Sequence, residues 1–253
     1  MGSWRVTPML PAAVLWDMDG TLVDTEPDWI VCERALVDTQ GGTWTTEDSL
    51  GLVGLDLLTA AGHIRARAGL SMTPEQIVAW MVDWMVERVG RSLTWQPGAR
   101  ELLRRLSAAG VPCALVTMSY RRLAEAVVRS LPAGSFAAVV TGDEVEHGKP
   151  HPEPYLTAAA LLGVEPSECV VIEDTSTGAA AGLAAGCRVL VVPHVVDIDP
   201  DLDVTIVPSL AGLRPVDLAA IPRTGAAPAA STLDGSDRSK FRQMTGAAPR
   251  RRR

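Results

Sequence analysis

The sequence predicts a doubly wound parallel α/β sheet carrying an inserted α-helical domain, on three observations. From residue 97 onward, short continuous apolar runs alternate with segments of helical periodicity. One more apolar run, AAVLW, lies near the N-terminus, far ahead of the others. Residues 25–96, between them, read as helix throughout. Apolar strands interleaved with helices describe a parallel sheet covered on both faces. The expected division is a Rossmann-like core of residues 1–24 and 97–222, a helical cap of residues 25–96, and a disordered basic tail of residues 223–253.

Taken in order, AAVLWD supplies the first strand, ending at Asp17. The insert follows with PDWIVCERALVD, LDLLTAAGHIRARAG and a helix from Thr73. In TPEQ, Thr73 can cap, Pro74 suits the first helical position and Gln76 completes a capping box. Five of the seven tryptophans (29, 44, 80, 84 and 95) fall in or beside this insert. Trp80 and Trp84, with Met81 and Met85, repeat at i, i+4, which predicts core packing in preference to a cofactor site. Beyond the insert, PGARELLRRLSAAG is a helix stopped by Gly110, and VPCALVTM is a strand. RRLAEAVVRSL, PEPYLTAAALLG and TGAAAGLAAG continue as helices, and FAAVVTG, ECVVIED and CRVLVVP as strands.

Composition narrows the class. Of 253 residues, 47% are hydrophobic and 21% charged, a soluble globular balance. No run reaches the roughly 18 apolar residues of a membrane span, and the N-terminus lacks the features of a signal peptide. Cys32, Cys113, Cys169 and Cys187 are scattered through apolar stretches, which predicts buried free thiols and a cytoplasmic protein. A monomer is expected. The net charge of −7 hides an asymmetry: residues 223–253 hold eight basic and two acidic side chains, leaving 15 basic and 28 acidic groups elsewhere. So acidic a body argues against nucleic acid as the main partner.

Chemistry concentrates at strand ends. Asp17 closes the first strand and Asp19 follows two positions on, so both carboxylates point the same way in extended chain. Acids so close repel unless a cation shares them. A calcium-binding EF-hand loop would need Gly at its sixth position and Glu at its twelfth, and neither fits. Glu173 and Asp174 end the strand in VVIEDTSTG, and Thr117 ends ALVT. Ligands of open parallel sheets bind beyond the carboxyl ends of the strands, where these groups should meet. Lys149 arrives after a fourth strand, and it is one of only two lysines, the other being Lys240 in the tail.

DMDGTL, the Thr117 strand end, GKPHPEPY and IEDTSTG, in that order, resemble the four motifs of the haloacid dehalogenase superfamily of phosphatases and phosphomutases. The likeness spans about residues 12–215 and fits the helical-cap branch of β-phosphoglucomutase and phosphoglycolate phosphatase. Trp16 stands where Phe is commoner, and Thr175 where Ser is. The resemblance implies a Mg²⁺ ion held by the Asp17 carboxylate, the Asp19 main-chain carbonyl and Asp174. It also implies Asp17 as the nucleophile that forms an aspartyl phosphate and Asp19 as the acid and base. The Thr117 hydroxyl and the Met118 N–H would hold phosphoryl oxygens, with Ser119 assisting. Glu173 would orient a metal-bound water or a neighbour. Lys149 then has a reason: a compact ammonium fits between nucleophile and phosphate where the broad guanidinium fork would not.

The cap loop LGLVGLDLL, residues 50–58, bears Asp56 as its only charge and no cation to grip a second phosphate, although Arg65 and Arg67 follow. That favours a phosphatase of a small phosphorylated metabolite, a sugar phosphate or phosphoglycolate, over a phosphomutase. Asp19 argues against carbon–halogen cleavage, and the lysine-free cap against a Schiff-base phosphonatase. A non-catalytic module docking through its basic tail is the alternative from another class. His63, His147 and His194 show no metal spacing, and His151, between two prolines, is expected to be a solvated loop residue. Arg121 and Arg122 are expected on a solvated helix face.

Overall fold

A computed structural model of the chain describes residues 10–223. The disorder expected of the basic tail therefore falls, from residue 224 on, outside the described residues. Along the chain, β1 (Ala13–Trp16) leads into four helices, α1 (Glu26–Asp38), α2 (Thr46–Leu50), α3 (Leu57–Ala68) and α4 (Pro74–Arg91). Alternation then begins with α5 (Ala99–Ala108), β2 (Cys113–Val116), α6 (Arg121–Val128), β3 (Ala138–Val140) and α7 (Glu153–Leu162). It closes with β4 (Cys169–Glu173), α8 (Ser176–Ala184), β5 (Arg188–Val191), β6 (Thr205–Ile206) and α9 (Pro215–Ala219).

All six strands pair in parallel, in the order β3-β2-β1-β4-β5-β6. The chain builds outward from β1 to β3 and then crosses to β4 on the other side of β1. A crevice opens at such a reversal, and here it lies between β1 and β4. The period of two sorts the strand side chains onto opposite faces. Val14, Trp16, Leu115, Val170 and Ile172 join the core that continues into the helical insert. Ala13, Leu15, Ala114, Val116 and Val171 face α7 and α8.

Within the insert, α4 starts as the sequence predicts. The Thr73 hydroxyl accepts the Gln76 N–H, and the Gln76 side chain accepts the Thr73 N–H. Met81 and Met85 are buried, with Trp80 and Trp84 packed against the same core. The two segments that join the insert to the sheet run antiparallel to each other. Asp24 N–H donates to Thr94 O at 2.9 Å and Gln96 N–H to Leu22 O at 3.2 Å. His194 Nε2, on the loop after β5, lies 2.9 Å from the Asp24 carboxylate. All four cysteines are buried free thiols. Arg122 is exposed, as expected, and pairs at the surface with Asp83 on α4, whereas Arg121 is half-buried and pairs with Glu144.

Candidate active site

Because β1, β2 and β4 are adjacent and parallel, their carboxyl ends deliver Asp17, Thr117 and Glu173–Asp174 to one edge. Asp17 continues the ladder, its N–H donating to Ile172 O at 3.0 Å, and only 7% of it is exposed. Lys149 reaches the same point from the loop after β3. Its ammonium donates to Asp17 Oδ1 at 2.7 Å, Glu173 Oε1 at 2.6 Å and Val116 O at 3.0 Å. Three acceptors for three donors satisfy a buried ammonium fully.

Glu173 is the other half of that clamp. Its Oε1 also accepts from the Tyr155 hydroxyl at 2.7 Å, and Oε2 from the Asp174 N–H at 3.2 Å and the Thr175 hydroxyl at 3.2 Å. Gly178 makes room for it: a Cβ there would stand 1.8 Å from Glu173 Oε1. The expectation that Glu173 orients a neighbour has a concrete object here, the Lys149 ammonium.

Asp174 is 1% exposed. Its Oδ1 accepts from the Thr21 hydroxyl at 3.1 Å, while Oδ2 is buried with no hydrogen-bond partner among the described residues. Burial, with the charges of Asp17 and Glu173 added, pushes its carboxyl well above the usual range. Burial and then Glu173 likewise push Asp17 up to about 7, against the opposing pull of Lys149. Burial alone would lower the Lys149 pKa, but Asp17 and Glu173 together raise it, so that side chain stays charged. Oxygens of Asp17, Glu173 and Asp174 lie within 4.8 Å of one another. An orphaned carboxylate oxygen beside two more carboxylates suits a hard divalent cation. The glycine of the first motif belongs to this cradle: Gly20 has φ +84°, and a Cβ on it would come within 2.1 Å of Asp174 Oδ2.

Asp19 faces the other way. Its Oδ1 accepts from the Thr25 hydroxyl at 2.6 Å and the Trp29 indole at 3.2 Å. Its Oδ2 accepts from the Ser119 hydroxyl at 2.8 Å and the Thr117 hydroxyl at 3.3 Å. Four donors thus occupy the side chain, which leaves its main-chain carbonyl as the group suited to a cation. The Met118 N–H makes no hydrogen bond among the described residues. All six expected site residues, Asp17, Asp19, Thr117, Met118, Lys149 and Asp174, line one cavity of about 110 Å³.

The insert closes that cavity. Leu52, Val53, Gly54 and Leu55 from the expected loop line it, together with Leu57 on α3. Asp56 instead caps α3, accepting the Thr59 N–H at 2.9 Å. Arg67 pairs with Asp48 at the surface, and neither Arg65 nor Arg67 reaches the cavity. Among the described residues, Lys149 is the only cation in the lining. Sequence reasoning missed Thr25, Glu26, Trp29, Glu33 and Tyr155. Glu26 and Glu33 line the cavity beside Trp29, and burial followed by the Asp19 charge pushes Glu26 up to about 8.

Comparison with known proteins agrees with this fold. The family described as a haloacid dehalogenase-like hydrolase matches residues 11–186. Hexitol phosphatase A of Escherichia coli K12 is 37% identical over 182 residues, covering 70% of this chain and 81% of the relative. Phosphoglycolate phosphatase of Xanthomonas campestris is 31% identical over 182 residues, covering 70% and 80%. Among solved structures, CbbY of Rhodobacter sphaeroides in complex with phosphate superposes with a TM-score of 0.73 at 25% identity, over 83% of this chain and all of that one. A β-phosphoglucomutase of Clostridium difficile shares the fold with a TM-score of 0.69 at 21% identity, over 85% of this chain.

Proposed function

The chain belongs to the haloacid dehalogenase-like hydrolase family, and from that premise we propose a Mg²⁺-dependent phosphatase that cleaves a small phosphorylated metabolite through an aspartyl phosphate. Hydrolysis of a phosphoric monoester is common to its named phosphatase relatives. One observation carries the mechanism: the Lys149 ammonium bridges Asp17 and Glu173, and oxygens of these two carboxylates lie within 4.8 Å of Asp174, whose Oδ2 is orphaned.

Lys149 holds one Asp17 oxygen and keeps the carboxylate fixed at the strand end, so its other oxygen can attack phosphorus. The Thr117 hydroxyl and the Met118 N–H bind the phosphoryl oxygens. Asp19, oriented by Thr25, Trp29 and Ser119, gives its proton to the leaving oxygen. It then takes one from the water that cleaves the aspartyl phosphate. Mg²⁺, held by the carboxylates of Asp17 and Asp174 and the Asp19 carbonyl, would screen carboxylate from phosphate and stabilise charge on the transferring group. Glu173 positions Lys149.

Residues 1–24 and 97–222 form the catalytic unit in this reading, and residues 25–96 are the cap that excludes water. The proposal includes a monomer working in the cytoplasm, and among the described residues no helix is long and apolar enough to cross a membrane. A phosphomutase would need a cation for its substrate's second phosphate, and among the described residues the cavity offers none beyond Lys149. Phosphate release across sugar phosphates and phosphoglycolate, with Mg²⁺ and then with chelator, is the test. Mg²⁺-dependent release and a phosphorylated Asp17 peptide in quenched turnover are expected. Isomerisation of a hexose 1-phosphate without release, or label on another residue, would overturn the reading.

A further inference from the structure

The segment His147-Gly148-Lys149-Pro150-His151-Pro152-Glu153 does more than present Lys149. Its turn closes through the His151 N–H, which donates to Gly148 O at 3.0 Å, and Pro150 restricts the backbone between the histidines while Pro152 restricts it just after His151. Two residues that look unrelated in the sequence therefore face each other, with ring centroids 4.7 Å apart. Glu153, the first residue of α7, completes the group. Its Oε1 accepts the Glu146 N–H at 2.8 Å and its Oε2 the His147 N–H at 3.0 Å, so backbone amides fix the carboxylate in place.

Around Glu153 Oε2, His147 Nδ1 lies at 3.1 Å and His151 Nδ1 at 3.9 Å, and one ligand atom from each residue falls within 4.8 Å of the others. Tetrahedral ligands bound at about 2.0–2.1 Å stand roughly 3.3 Å apart, so this spacing needs only small side-chain rotations. The His151 Nδ1 lone pair now accepts a long 3.3 Å bond from the Glu153 N–H and can be redirected. A carboxylate has about four acceptor positions, enough to keep its amide bonds while binding an ion. The side chains of His147 and His151 are 57% and 51% exposed, so an ion reaches them from solvent without entering the cavity.

We propose that His147, His151 and Glu153 form a second cation site, selective for a borderline divalent ion such as Zn²⁺ and separate from the acidic pocket. Donor chemistry divides the two sites. Imidazole favours zinc-like ions, and an all-oxygen cluster favours Mg²⁺. Both histidines flank Lys149, so an ion held there braces the turn that carries the ammonium to Asp17.

The test uses untagged full-length protein in excess Mg²⁺, titrated with Co²⁺ as a visible probe and then with Zn²⁺. One equivalent of Co²⁺ should give a d–d band that Zn²⁺ displaces. His147→Gln and His151→Gln should each weaken binding by about tenfold or more, while Asp174→Asn keeps the band. Melting curves in chelator establish that each variant is folded. A band that survives in both single variants, one lost only in Asp174→Asn, or none below millimolar Co²⁺ would each overturn the site.

Discussion

At the carboxyl ends of β1 and β4, Asp17, Glu173 and Asp174 are buried and tied to named donors, with Lys149 serving two of them at once. The wall that residues 52–57 of the insert contribute is of another kind. Leu52, Val53, Leu55 and Leu57 present methyl groups, and contact there is non-directional. In the first region, displacing one atom breaks hydrogen bonds to buried charges. In the second, a changed side chain alters shape and little else. The contrast teaches where tolerance lies: in the proposed mechanism the charges sit on rigid strand ends, with Thr25 and Trp29 of the insert holding Asp19, and selection among substrates falls to the apolar loop.

The contrast is broken most directly at Asp17. Asp17→Asn keeps size and removes the nucleophile, and phosphate release should fall by about 10³-fold or more. Retention of turnover would deny the strand ends their role. Lys149→Arg keeps the charge but not the shape, and kcat should fall about 10²- to 10³-fold with far-UV circular dichroism unchanged. A fully active Lys149→Arg would show that charge alone suffices.

Gly178→Ala probes the same region through packing. Its Cβ would meet the Glu173 carboxylate at 1.8 Å. Overpacking costs about 1–3 kcal/mol and exceeds the helix-propensity gain of about 1 kcal/mol, so a denaturant melt should show net destabilisation along with reduced turnover. On the insert side, Leu52→Ala should change KM by less than about tenfold and re-rank substrates, with kcat close to the parent. A large loss in kcat would move part of the chemistry onto the insert. The smallest effect is expected for Thr73→Ala, which removes a helix cap outside the cavity lining. It should cost about 1 kcal/mol of stability and leave phosphate release unchanged.

Legibility in the sequence follows the same division. Asp17, Asp174 and Lys149 stood out because charge directly after an apolar strand, and a lysine in an arginine-rich chain, are locally anomalous. Tyr155 gave no such signal, because a buried aromatic on α7 reads as packing until the topology sets its hydroxyl 2.7 Å from Glu173. Thr25, Glu26 and Trp29 look like an ordinary helix start, and only the turn at Gly20 brings α1 back over Asp19. β6, with two residues, and α2 and α9, with five each, are too short for periodicity to register. The facing of His147 and His151 depends on a turn that residue spacing does not encode.

The paired crossings at Leu22–Asp24 and Thr94–Gln96 carry one more consequence. Chain leaves the sheet and re-enters it at neighbouring points, about 5 Å apart as in any antiparallel ladder. To the sheet, everything between is a closed loop whose length is immaterial. A module with adjacent termini could be spliced in at these two points, provided that it also covers the sheet face and supplies donors to Asp19 as Thr25 and Trp29 do. The joint is therefore a natural seam for exchanging lids, by recombination in nature or by grafting at the bench.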